Sequence, residues 1–412
     1  MKNIPLLKAA MLAAFFLVCA TVSRPLLGPD RIVSDDCKKS AYQSADCSSL
    51  ASTEAGNAKN VILIIGDGMG LNQVFAGRTY LNGPDKPLQW ESLPHRGLVT
   101  TCSIRSITDS AASGTAMATG HKTTNGAVCT GVLRGQSRMT NINDIFGGKK
   151  AVGLVSTTKI WDATPASFVA HSISRDFDRS IAREMVTEAK PLLMLGGGAK
   201  AFDPVEAASV KIEKTDIAGI AGKNGYQVVR SASELDSLDP DSGKNVLGLF
   251  APYAMTFEAE REPGTSEPHL SDMASFALDA LEEEEQGFFL MIEGARIDHA
   301  CHQISMEKLI GEMVEFDKTV NMVLEWREKH PDTLVLITAD HETGGIELRK
   351  RGHKKGEFLE VEWTRQDRPD HASHSSQQVP IYGIGPYASA IKAHMDNTEI
   401  FCLIKNAFGN DV

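Results

Sequence analysis

A chain of 412 residues, 42% hydrophobic and 23% charged, is long enough for one large globular α/β domain with insertions or for two domains. Its formal net charge of −11 excludes a general binder of nucleic-acid backbones, which needs basic surface. It also means that an anionic substrate must be met by positive charge assembled locally, as metal ions would supply.

Residues 1–23 read as an export signal. Lys2 and Lys8 precede an apolar run over 9–20, too short to span a bilayer, with small residues for cleavage after Ala20 or Ser23. The chain is therefore expected in the periplasm or outside the cell. Membrane attachment is expected only if Cys19 carries a lipid, which the bulky Val18 before it disfavours. The other six cysteines, Cys37, Cys47, Cys102, Cys129, Cys301 and Cys402, permit disulfides in an oxidising compartment. Cys37–Cys47 is the expected pair because it closes a short polar segment; Cys102 and Cys129 form a second candidate pair, and Cys301 reads as a buried thiol.

Residues 24–58 are polar and irregular, an N-terminal arm, and 59–408 read as a single catalytic domain. The run 60–65 is apolar on every residue, the pattern of a strand buried on both faces, and breaks at the glycine-rich turn 66–70. Similar runs follow at 151–155, 192–195, 246–250, 288–292, 334–338 and 381–384. Helical patterns lie between several of them, clearest at 177–189, 272–285 and 306–329. In the last, Met306, Leu309, Ile310, Met313, Val320, Val323 and Leu324 form one core-facing stripe. The alternation predicts an α/β three-layer sandwich: a central, mostly parallel sheet with helices on both faces, and ligands beyond the strands' C-terminal ends. Stretches at about 199–245 and 342–370 are turn-rich and weakly patterned, and read as insertions over the sheet edge.

The chemistry centres on 108–120, a run of Ala, Ser, Thr and Gly in which Asp109 stands beside Ser110. Small residues let backbone approach closely, and Ser110 would sit at a helix N-terminus, where N–H groups face an anion. A packed helix with an Asp/Ser cap accounts for the run equally well. Serine alone is a weak nucleophile and no Gly-x-Ser-x-Gly elbow is present, so an activator is required. Metal-ligand chemistry stands at the ends of several predicted strands: Asp67, then Asp162 and Thr164, then Glu293, Asp298, His299 and His302, then Asp340 and His341, with His374 before the last strand. Asp298 and His302 are four apart and share a face if helical. Mixed Asp/His ligation suits Zn²⁺, and the all-oxygen set Asp67, Thr164 and Glu293 suits Mg²⁺.

Over about residues 60–405 these motifs together resemble the alkaline phosphatase family, in order and in spacing within each motif. The resemblance implies phosphomonoester hydrolysis with Ser110 as the phosphorylated nucleophile. It implies two zinc ions, one on Asp298, His302 and His374, the other on Asp340, His341 and Asp67. It further implies one magnesium on Thr164, Glu293 and the bridging Asp67, with Asp162 close by, and Arg175 as the phosphate-binding guanidinium. Asp109 and His299 are placed by the same likeness in the substrate site.

The chain departs from the family at three points. Ser375-Ser376 follow the last histidine, so His371 competes with His374 as the ligand; the distance from His374 to Gly385-Pro386 favours His374. His299 stands where some members carry a lysine. Only a small insertion fits between His341 and His374, which leaves a homodimer open. Rival readings are a phosphodiesterase or sulfatase on the same scaffold, or an inactive phosphate-binding protein. A sulfatase would need a Cys/Ser-x-Pro-x-Arg setting that 109–113 lacks, and Arg175 favours a monoester.

Overall fold

The computed structural model describes residues 37, 44–50, 57–131, 137–204, 215–350 and 352–409. The expected signal at 1–23, with Cys19, and most of the arm lie outside the described residues. Ten strands form one sheet: β1 (Asn60–Gly66), β2 (His95–Thr100), β3 (Ala151–Lys159), β4 (Leu193–Gly197), β5 (Gln227–Val229), β6 (Val246–Leu249), β7 (Phe288–Gly294), β8 (Thr333–Thr338), β9 (Val379–Ile384) and β10 (His394–Asp396). Their order is β10-β2-β9-β8-β1-β7-β3-β4-β6-β5. Every neighbouring pair is parallel except the two made by β9, which alone runs against the rest.

The centre of the sheet is apolar because it is covered twice. All seven residues of β1 and of β7 are buried, as the unbroken apolar runs require. One helix layer comprises α1 (Leu71–Asn82), α4 (Leu270–Glu282), α5 (Arg296–His302) and α6 (Met306–Lys329); the other comprises α2 (Ser110–Thr119), α3 (Ala163–Ser167) and α7 (Thr398–Phe408). Helix α6 has the predicted bounds, and its stripe from Leu309 to Leu324 is buried together with Phe316. Helix α2 has no polar face: all ten residues are buried. Its small side chains answer to that crowding. A Cβ added at Gly114 would lie 2.8 Å from Ser167 Oγ on α3, so bulkier residues would drive the two helices apart. The helix ends at Gly120, whose φ of 73° is the left-handed conformation that glycine adopts without strain.

The disulfide expectation is overturned. Cys37 pairs with Cys102 and Cys47 with Cys402, while Cys129 and Cys301 are free and buried. The reason is tertiary. Residues around 44–50 lie along α7, with Asn406 Nδ2 donating to Cys47 O at 2.9 Å, so the nearest thiol is 355 residues away in sequence. Cys129 instead donates its thiol hydrogen to Ser167 O at 2.8 Å. The 199–245 stretch carries the edge strand β5 and short helices at Ala199–Phe202, Ile217–Lys223 and Ala232–Asp236. Within 342–370, Ile346–Leu348 pairs with Val361–Trp363.

Candidate active site

Sheet register brings the scattered acids together. Ile65 on β1 lies opposite Glu293 on β7 and Thr338 on β8, and Glu293 in turn lies opposite Ser156 on β3. Asp67 and Asp340 each follow two residues beyond that row, so both arrive at the same C-terminal edge. His374 precedes its strand rather than following it because β9 is antiparallel: its N-terminal end reaches the edge where the others finish. A two-residue ladder, His374 opposite Thr343 and Ser375 opposite Glu342, fixes it beside the chain leaving β8.

Two groups of donors result. The ligating atoms of Asp298, His341 and His374 lie within 4.8 Å of one another, as do those of Asp67, Asp340 and His341. His302 Nε2 joins the first group, 3.2 Å from Asp298 Oδ2 and 3.2 Å from His374 Nε2. Backbone carbonyls orient both rings: His374 Nδ1 is 2.8 Å from Thr108 O, and His302 Nδ1 is 2.6 Å from Ala372 O. His371 stacks on His302 but directs Nδ1 at Asp367, 2.7 Å away, outside both groups.

Ser110 stands where the two groups meet. As the first residue of α2 it follows Asp109, the N-cap, whose Oδ1 accepts from Ala112 N at 3.0 Å. Its Oγ is 3.3 Å from His341 Nε2. Arg175 reaches the same place, with Nη1 3.3 Å from Asp109 Oδ2 and Nη2 2.9 Å from Asp162 Oδ1. Burial alone would weaken its charge, but Asp162 and Asp109 hold it more firmly protonated than usual. Asp162 caps α3 through Ala163 N at 2.8 Å and also binds Lys159 Nζ at 2.8 Å. His299 takes the Arg296 guanidinium at Nδ1, 2.7 Å away, so that nitrogen is the acceptor. Burial, against the pull of Asp298, lowers its pKa to about 4, leaving a neutral ring.

Sequence reasoning missed three contributors. Thr343 Oγ1 donates to Asp298 Oδ1 at 2.5 Å, Ser156 Oγ donates to Glu293 Oε2 at 2.5 Å, and Lys159 binds Asp162. Of these only Lys159 left a signal, the one charged residue in a strand of apolar and hydroxyl side chains.

The electrostatics of the site ask for cations. Burial pushes Glu293 up to about 8 and Asp340 to about 7; burial with the neighbouring Asp340, Asp298 and Glu293 carboxylates pushes Asp67 well above its usual range. Asp298 is the exception: burial would raise it, but His302, His374 and His341 hold it well below. Asp67 Oδ1, Asp340 Oδ2, Glu293 Oε1 and Thr164 Oγ1 are buried and make no hydrogen bond. Four such oxygens at one sheet edge, with three imidazoles alongside, fit divalent metal ions.

The family model for alkaline phosphatase matches residues 58–368. The chain belongs to the alkaline phosphatase family. It is 32% identical to the alkaline phosphatase of Escherichia coli strain K12, over 85% of this chain and 86% of that protein. It is 31% identical to the streptomycin-6-phosphate phosphatase of Streptomyces griseus, over 89% and 94%. Among solved structures, the alkaline phosphatase of the Antarctic bacterium TAB5 superposes with a TM-score of 0.73 at 29% identity, covering 85% of this chain and 98% of that one. An alkaline phosphatase is a phosphomonoester hydrolase, and candidate metal-binding groups lie at the strand ends where the sheet of such an enzyme would present its substrate site.

Proposed function

We propose that the chain hydrolyses phosphate monoesters through a phosphoserine at Ser110, at a site holding two zinc ions and one magnesium ion. The observation that carries this reading is the placement of Ser110 Oγ, 3.3 Å from His341 Nε2, with the Arg175 fork held alongside. Asp298, His302 and His374 would hold one zinc, and Asp340, His341 and Asp67 the other. Thr164, Glu293 and Asp67 would hold magnesium through oxygen alone. Asp162, whose oxygens are engaged by Lys159, Arg175 and Ala163, would act on that ion only indirectly. Bound divalent cations supply Lewis acidity here, lowering the pKa of a hydroxyl and offsetting phosphoryl charge.

Within that field the chain's own groups do the rest. Arg175 places two N–H groups on two phosphoryl oxygens and keeps its proton throughout. The N-terminal turn of α2 turns its positive end towards the same anion. Ser110 Oγ loses its proton and attacks phosphorus; the P–O bond to the substrate alcohol breaks, and the alcohol leaves with a proton. Water then cleaves the Oγ–P bond and releases inorganic phosphate, restoring the serine. The disulfides Cys37–Cys102 and Cys47–Cys402 support an oxidising, exported location for this chemistry. No helix among the described residues is long and apolar enough to cross a membrane.

Acid quenching during turnover of a labelled phosphomonoester tests the nucleophile. The native chain should retain label on Ser110 and the Ser110→Ala variant none; label persisting on the variant would remove the assignment.

A further inference from the structure

We propose that Lys159 is a positioning residue of the phosphate site, acting through Asp162 on Arg175. The inference rests on the reading of Ser110 and Arg175 given above.

Lys159 is the last residue of β3, set opposite Gly197 of β4 after a register shift that follows Val155. Its stem is pinned. Nζ passes 4.8 Å from the centroid of the Trp161 ring, whose Nε1 donates to Gly198 O at 3.0 Å. A Cβ at Gly198 would lie 2.8 Å from Lys159 Cβ and 2.6 Å from Trp161 Nε1, so lysine and indole fill the space above this glycine. The ammonium group reaches Asp162 Oδ2 at 2.8 Å, where Thr158 Oγ1 also donates at 3.2 Å.

The charges explain why a lysine there matters. Arg175 stands between two carboxylates, Asp109 and Asp162. Those three groups carry a net charge of −1 and would repel an incoming phosphate dianion. Lys159 makes the set neutral. It also divides the labour on Asp162: Oδ2 stays with the lysine while Oδ1 can release the guanidinium to phosphate without the carboxylate losing its place. Both effects favour the arginine's exchange of a carboxylate for a phosphate.

The test is a double-mutant cycle on the metal-loaded enzyme at saturating zinc and magnesium, reading equilibrium binding of labelled inorganic phosphate together with KM and kcat. Lys159→Met should weaken phosphate binding about tenfold, the scale of one charge-assisted hydrogen bond, and raise KM more than it lowers kcat. Lys159→Arg should restore both. In an Asp162→Asn background, Lys159→Met should weaken phosphate binding by less than about threefold, the residue of its charge alone. Unchanged binding in Lys159→Met, or the same tenfold loss in the Asp162→Asn background, overturns the positioning role; the latter would make Lys159 an independent anion contact. A native chain that neither turned over an aryl phosphate nor bound inorganic phosphate would overturn the reading of the site itself, and the lysine's role with it.

Discussion

Two clusters of acids and histidines lie in this molecule, and they have opposite characters. The strand-end cluster holds Asp67, Glu293, Asp298 and Asp340 with His302, His341 and His374. The other, between α6 and the segment entering α4, holds Glu258, Glu312 and Glu315 with His269. The ligating atoms of Glu258, His269 and Glu315 also fall within 4.8 Å of one another. Here, however, ordinary partners meet the charge. Glu258 has Arg261 Nε at 3.0 Å and His269 Nδ1 at 2.8 Å; Glu312 accepts from Glu258 N at 2.8 Å and Glu315 from Ser271 N at 3.0 Å. Among the described residues, no lysine or arginine forms an ion pair with any of the four acids at the strand ends. Proximity of ligand types is thus a poor sign of a metal site. Several buried carboxylates gathered with imidazoles, none of them paired to a lysine or arginine, are a better one.

The largest expected effects break this comparison directly. Asp340→Asn should lower kcat/KM by at least about 100-fold and reduce bound metal, as loss of a ligand carboxylate does. Glu258→Gln should leave kcat/KM and metal content within about twofold. Atomic emission on the purified variants, with steady-state rates, decides; comparable metal loss in both would make the second cluster a metal site too. Chelation of the native chain should abolish turnover and zinc with magnesium should restore it.

Stability separates the clusters next. The Arg261 side chain is 4% exposed and lies against Glu258 and Glu267. Arg261→Met strands these carboxylates, and the expected cost is about 3–5 kcal/mol, the same with or without metal. Asp340→Asn should do the reverse in the metal-free protein, stabilising it at pH 8 by removing a carboxylate that burial disfavours in its charged form. Urea unfolding in the presence and absence of chelator measures both. A metal-free Asp340→Asn protein less stable than the native chain would contradict the electrostatics drawn for the strand ends.

How far the sequence reveals these differences depends on which forces leave a periodic trace. The central strands were legible because burial on both faces demands unbroken apolar runs, as in 60–65 and 288–292. Strands β2, β5 and β10 were not: β5 and β10 have three residues each, and β2 is a half-exposed strand with a charged start, so none carries an apolar run or a clean alternation. Site residues at strand ends announced themselves through position. Their geometry did not, because it depends on sheet register and on the direction of β9. The disulfides were illegible for the same reason: an arm that runs along α7 brings Cys47 to Cys402, and no short-range pattern encodes that path. The pairing of Glu258 with Arg261 spans only three residues, yet nothing local tells that ion pair from a surface one; burial by α6 makes the distinction.

The smallest expected effect, on pH dependence, sharpens the comparison furthest. In the metal-free protein burial raises Glu293 to about 8 and Asp340 to about 7, against ordinary carboxyl values of 4.5 and 3.8. A carboxyl with a raised folded pKa contributes stability that is fully present below its unfolded pKa and lost as pH rises through the folded one. The metal-free protein should therefore lose stability between about pH 4 and pH 8. Metal binding reverses the sign for these two groups, since the cation favours the charged forms and protons compete with it. Glu312, in the second cluster, is also raised to about 8, chiefly by burial and against the hydrogen bond from Glu258 N. No metal relieves it, so the loaded enzyme should keep a residual loss of about 1 kcal/mol per pH unit in the same window. Glu312→Gln should flatten that residue of the slope while leaving kcat unchanged. Urea midpoints from pH 5 to pH 8, with and without metal, give the answer: a slope in the loaded enzyme that Glu312→Gln leaves unchanged would remove Glu312 from the titration and undo the contrast drawn for the second cluster.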